Sequence, residues 1–147
     1  DQEFDENLSL SIAAARIPKA VFVLISALNF HAIGTQPARA VWMQLPHNAV
    51  KPRIDHPPIE IVRTRLNEAF SAGVEEHMLN GIPVRITSPA RTVADCFKHR
   101  KKLGLDLCLE ALREVVPTRC KPGEILSYAK MNRVERILLP YLEVLGA

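Results

Sequence analysis

The spacing of apolar residues divides the chain into a helical start, a β-rich middle and a helical end. Residues 7–16 read as a short helix with Asn7 as its N-cap. Ile17-Pro18 ends it, because the residue before proline is pushed out of helical angles. A second, buried helix is expected over residues 19–32, where Val21, Leu24, Ile25 and Leu28 repeat at helical spacing and Gly34 closes the turn. Its first residues, Val21-Phe22-Val23, can also be read as a strand. The spacing then shifts to alternation. Residues 40–45 and 59–65 are strand candidates joined by a connection rich in proline (Pro46, Pro52, Pro57, Pro58). Ile61, Arg63 and Arg65 alternate with Glu60, Val62 and Thr64, which gives the second strand a polar, partly basic face.

The clearest local signal is a hairpin over residues 74–86. Two apolar runs flank Asn80-Gly81, a pair that supplies the positive φ angles of a tight turn. Pro83 has no N–H to give to a ladder, so its strand belongs at an edge or its ring on a non-bonding side. Ser88-Pro89 then opens a helix, serine as cap and proline at the first helical position. Val93, Cys96 and Phe97 form its buried stripe, and Gly104 ends it. A further helix carries Leu105, Cys108, Leu109, Leu112 and Val115 and stops at Pro117. A shorter one starts at Pro122 with Ile125, Leu126 and Ala129. The last holds Val134, Ile137, Leu138, Tyr141, Leu142 and Leu145, with a bend expected at Pro140. The expected class is therefore α+β: a small mixed or antiparallel sheet, flanked by N-terminal helices and a C-terminal helical bundle.

Composition narrows the classes. The 147 residues suit one domain, expected over residues 7–147, with enough chain for a core that needs no staples. No apolar run approaches the roughly 20 residues that cross a bilayer, so no membrane partner is expected. The chain opens acidic, without the basic region of a signal peptide. Cys96, Cys108 and Cys120 are odd in number and never form Cys-x-x-Cys, which argues against a disulfide framework or zinc site. Cys96 and Cys108 fall at apolar positions of the expected helices, as small hydrophobes in a reducing cytoplasm. Net charge is +3, from 19 basic and 16 acidic residues. Four of those acids lie in the first six residues (Asp1, Glu3, Asp5, Glu6), which leaves 19 basic against 12 acidic residues beyond them. That surplus suits a polyanion or an acidic protein partner.

Enzymatic signatures are sparse. There is no Gly-x-Ser-x-Gly elbow, and the six glycines are too dispersed for a P-loop or a dinucleotide fingerprint. The five histidines (His31, His47, His56, His77, His99) show no His-Glu-x-x-His and no pair at i, i+4. No cofactor is expected. The most serious enzymatic alternative is a metal-dependent nuclease-like domain acting on nucleic acid, with Glu60 and Glu75 or Glu76 holding the ion and Asp55 nearby. No Glu-x-Lys accompanies those acids, and adjacent Glu75 and Glu76 point to opposite faces of a strand. Asp95, with Arg91 before it and Lys98 and His99 after it, reads as part of an intrahelical pairing network.

The densest charge is Lys98-His99-Arg100-Lys101-Lys102. It can be a solvated helix end whose cations complement the helix dipole, or a contact surface for phosphates or an acidic protein face. Arg63, Arg65, Arg85 and Arg91 extend that patch if hairpin and helix pack side by side. The few aromatics do not interleave with the basic run, so no single-strand stacking platform is indicated.

Several stretches, in order, resemble the AbiEi-type antitoxins of bacterial type IV toxin–antitoxin systems. Leu24-Ile25-Ser26-Ala27-Leu28-Asn29-Phe30-His31 resembles an L-x-S-A-L-x-x-H segment. Gly73-Val74-Glu75-Glu76-His77 and Gly81-Ile82-Pro83-Val84-Arg85-Ile86-Thr87 follow. The fullest match is Ser88-Pro89-Ala90-Arg91-Thr92-Val93-Ala94-Asp95-Cys96-Phe97, continued by Arg100, Leu103-Gly104-Leu105-Asp106 and Leu109-Glu110-Ala111-Leu112. Arg133-Val134 and Pro140-Tyr141-Leu142-Glu143 extend it. The resemblance implies a non-enzymatic effector domain, a transcriptional regulator and phage-defence component. Its partner would be a nucleotidyltransferase-like toxin, opposed without necessarily forming a stable complex. In that family a winged helix-turn-helix binds operator DNA ahead of this domain. Residues 1–147 do not include that segment, and residues 1–6 are expected to be a remnant of the linker to it.

Overall fold

A computed structural model describes residues 5–145. Its elements run α1 (Glu6–Arg16), β1 (Val21–Phe22), α2 (Leu24–Phe30), β2 (Val41–Pro46), β3 (Ile59–Thr64), a short 3-10 turn (Asn67–Phe70), β4 (Val74–Leu79) and β5 (Ile82–Thr87). Five helices follow: α3 (Pro89–Lys98), α4 (Arg100–Leu103), α5 (Leu105–Val115), α6 (Pro122–Met131) and α7 (Glu135–Val144). The five strands form one mixed sheet in the order β3-β2-β1-β5-β4. The β1/β2 and β4/β5 pairs are antiparallel, and β1/β5 and β2/β3 are parallel. This is the α+β architecture that the apolar spacing predicts.

The sheet separates two apolar cores. Phe22, Val41, Met43, Leu45, Val84 and Ile86 pack with Leu10, Ala13 and Ala14 of α1 on one side. Val21, Val23 and Val62 join Val93, Phe97, Leu112, Ile125 and Leu138 of the C-terminal helices on the other. Neighbouring residues such as Val21 and Phe22 thus serve opposite cores, as strand alternation requires. Among the described residues, no helix is long and apolar enough to cross a membrane.

Four details depart from the expectations. The first helix is capped by Asp5, whose Oδ1 accepts from Leu8 N–H at 3.1 Å, and not by Asn7. Of the six residues expected to be linker, 1–4 lie outside the described residues, while Asp5 caps α1 and Glu6 is its first residue. The helix expected over 19–32 is instead the two-residue strand β1 followed by α2. A fully apolar run carries no period that separates the two, and the break falls at Leu24, which sits at φ +54°. Within α2 the buried Ser26 hydroxyl accepts from Trp42 N–H at 2.8 Å, tying helix to sheet. β5 lies inside the sheet, and Pro83 takes the second of its two expected placements, on a non-bonding side, because β1 reaches only Ile86 and leaves that flank of Pro83 unpaired. The helix expected to reach Gly104 breaks at His99, and α4 follows as a single turn.

Other signals fold as read. The Asn80-Gly81 turn has φ +53° and +77°, and it joins Leu79 to Ile82 in register. Ser88 caps α3 through its hydroxyl, which accepts from Arg91 N–H at 3.2 Å, with Pro89 in the first turn.

Candidate binding surface

The residues proposed from sequence as one basic surface fall into three environments. The first is internal. Arg91 is 1% exposed, among the largest fully buried side chains of the molecule. Its Nε donates to both oxygens of Asp95, at 3.0 and 3.1 Å, and its Nη1 to the carbonyls of Ala69 at 3.0 Å and Ala72 at 2.6 Å. Asn132 Nδ2 completes the carboxylate at 2.8 Å. The Ala69 carbonyl also accepts from the buried Gln44 at 3.0 Å, so one network joins sheet, 3-10 turn, α3 and α6. A charge so deep is tolerable only when matched bond by bond. Arg91 is therefore an internal strut and is removed from the basic surface. The pairing of Asp95 with Arg91 within α3 is the one read from the sequence, but it is buried and shared with α6 through Asn132.

The chain passes Arg91 at close quarters. Gly73, at φ +66°, leaves no space for a side chain: an added Cβ would lie 2.8 Å from Arg91 Cβ and 2.8 Å from the Tyr128 ring. Glycine is needed there for both reasons.

The second environment is the sheet. Arg85 is half-buried, and its guanidinium donates to the Phe70 carbonyl. Arg63 is exposed but engaged, donating to the carbonyls of Pro46 at 3.2 Å and Ala49 at 2.6 Å. Arg65, two residues on, is exposed. By alternation Arg63 and Arg65 share the face of Ile59 and Ile61, which pack with the α1 core. Glu60 and Val62 occupy the other face. Arg63 therefore lies on the face of β3 opposite Glu60, the residue that Lys102 reaches, and does not extend the basic run of residues 98–102.

The third environment is the joint between α3 and α5. Lys98 ends α3, His99 caps it, and Arg100, Lys101 and Lys102 form the single turn α4 before Gly104 redirects the chain. Arg100 donates to the Phe97 carbonyl at 2.9 Å, which satisfies an end carbonyl of α3. Lys102 extends over β2 and β3: its Nζ lies 3.7 Å from Glu60 Oε1 and 5.4 Å from the centre of the Trp42 ring. Lys98 and Lys101 point into solvent, and among the described residues neither they nor Arg100 has a carboxylate partner. His99 is half-buried at the base of the joint. Burial holds its pKa below the ordinary value of 6.5, partly opposed by Asp95 and assisted by Lys98 and Lys102.

The acids of the nuclease alternative are not brought together. Glu60 lies on β3 and Glu75 and Glu76 on β4, the two edges of the sheet. Four strand spacings, about 19 Å, separate those edges, far more than one ion spans. Glu60 is instead paired with Lys102. Among the described residues, no group of three or more His, Cys, Asp and Glu is arranged to hold a metal.

One polar cluster went unread in the sequence. His31, at the end of α2, donates from Nε2 to the Thr87 carbonyl at 2.8 Å, and His77 from Nε2 to Glu75 Oε1 at 2.8 Å. The same Glu75 oxygen lies 3.9 Å from His31, and the Phe30 ring packs tilted against that of His77, with centres 4.7 Å apart. Both Nε2 atoms are thus occupied as donors, and the cluster pins the hairpin to α2. Burial lowers the His31 pKa from 6.5, with the Thr87 carbonyl and Glu75 opposing. Half of this cluster was visible as Glu75 and His77 at strand spacing on one face; His31 enters only through the fold. The three cysteines are buried thiols, and burial pushes Cys108 up to about 11, as expected of small hydrophobes. No protein-family model matches the chain, and neither does any curated protein.

Proposed function

We propose that this chain is a non-enzymatic effector domain of the AbiEi antitoxin type, acting through the exposed joint that holds Lys98, Arg100, Lys101 and Lys102. The observation that carries this reading is the set of three cations, Lys98 at the end of α3 and Arg100 and Lys101 on the one-turn α4, that have no carboxylate partner among the described residues. Capping α3 needs only one of them, Arg100, and the fold uses only Lys102 besides. A cluster that folding does not require, held on a rigid joint between two helices, suits a polyanionic partner. The ordered resemblance along the chain supports the antitoxin class, and with it a nucleotidyltransferase-like toxin as the target.

The test is a growth-rescue assay in which the chain is co-expressed with a nucleotidyltransferase-like toxin of such a system, with Lys98→Glu and Lys101→Glu combined. Both side chains are free of internal contacts, so the double variant should melt like the parent while losing rescue. Full rescue by a folded double variant would overturn the reading.

A further inference from the structure

A second cationic site lies at the other end of β2, on the opposite face of the sheet from the α3–α5 joint. There the turn between α1 and β1 faces the connection between β2 and β3 across a groove of about 760 Å³. Its walls are apolar: Ile17, Pro18, Leu45, Pro46 and Ala49. The far wall is fixed in place by several bonds. Arg63 holds the Pro46 and Ala49 carbonyls, His47 N–H donates to the Thr64 carbonyl at 2.9 Å, and Ala49 N–H to Pro46 at 3.1 Å. Val50 stands above it, 89% exposed.

The rim carries one sign of charge. Arg16, Lys19, Lys51 and Arg53 line the groove, all exposed, and no Asp or Glu does. None of the four forms an ion pair among the described residues. We propose that this groove binds an acidic peptide segment of a protein partner, with an apolar side chain in the groove and carboxylates on the rim. Each half of that chemistry is required. A purely anionic ligand would leave the apolar walls wet, and a purely apolar one would leave four like charges facing each other. No aromatic residue lines the groove, so it offers no base-stacking platform for single-stranded nucleic acid. Its volume falls within the range of preformed ligand sites. This site is separate from the joint invoked above, and variants in one leave the other intact.

The experiment measures binding of a fluorescein-labelled synthetic peptide of alternating Glu and Leu by fluorescence anisotropy. Saturable binding is expected, lost when every Leu is replaced by Ser. Lys51→Glu combined with Arg53→Glu should weaken it by about tenfold or more, without changing the circular dichroism spectrum. Amide shifts in a peptide titration of the unaltered protein should centre on Ile17, Leu45 and Ala49. Equal affinity for the Ser peptide would overturn the proposal. So would shifts confined to the α3–α5 joint, an absence of peptide binding, or binding only to phosphatidylserine vesicles or to an oligothymidylate.

Discussion

Arg91 and Lys101 carry the same charge at opposite ends of α3, one in its first turn and one just past its last, yet depth gives them opposite roles. Arg91 spends its bonding capacity on Asp95 and two backbone carbonyls inside the protein. Lys101 stands in water beside other unpaired cations. The comparison shows what a basic residue in a sequence leaves open. Arg-x-x-x-Asp is the spacing of countless surface pairs worth a few tenths of a kcal/mol. Here the same spacing, 1% and 6% exposed at its two side chains, is a buried strut that the surrounding elements share.

The sharpest way to break this contrast is to remove one half of the strut. Arg91→Ala leaves the Asp95 carboxylate buried with only Asn132, and urea denaturation should show a loss of about 3–5 kcal/mol. A loss below about 1 kcal/mol would put the pair with ordinary surface bridges. Arg91→Met combined with Asp95→Leu should cost less than the single change, because no charge is then stranded. Gly73→Ala forces a methyl group against Arg91 and Tyr128 at a left-handed backbone position. A loss of about 2 kcal/mol in the same measurement is expected. Thermal melting no lower than the parent would show that α6 gives way freely.

The pH response is smaller. Burial lowers the pKa of His31 and His99 in the folded protein from 6.5, whereas the unfolded chain takes up protons at the ordinary value. Below 6.5 the unfolded state therefore binds more protons, and stability falls as pH falls; above it this contribution is complete. Urea midpoints should drop between about pH 7.5 and about pH 5.5, and His31→Gln should flatten that slope. An unchanged slope in the variant would show that His31 does not contribute. The smallest expected effect sits at the other pole of the comparison. Lys98→Ala with Lys101→Ala should leave stability within about 0.5 kcal/mol.

Much of this fold is written locally. Asn80-Gly81, Ser88-Pro89 and the Val93/Cys96/Phe97 stripe each encode a turn, a cap or a face within a few residues, so the hairpin and α3 follow from sequence. β1 was ambiguous because Val21-Phe22-Val23-Leu24 is apolar throughout and buried on every side. Tertiary pairing, not period, makes it a strand. The candidate surface was half legible. Charge density marks residues 98–102 whatever the fold, but the depth of Arg91 and the bonds of Arg63 and Arg85 depend on neighbours far along the chain. The groove was illegible for the same reason. Its four cations come from two segments that meet only across the end of β2.

The two-residue strand β1 is also the seam of the sheet. On one side Val21 and Phe22 meet β2, close by in the chain; on the other Phe22 meets Ile86 of the hairpin. During synthesis the ribosome releases β1 long before β5, so Phe22 has no second neighbour until the hairpin has emerged. The two halves of the sheet then join at the single register pair Phe22–Ile86, with the α1 core and the Arg91 strut closing on either side of it. Assembly of this protein is therefore an end-stage event, closed by contacts distant in sequence, and a nascent chain halted before β5 exposes its central strand.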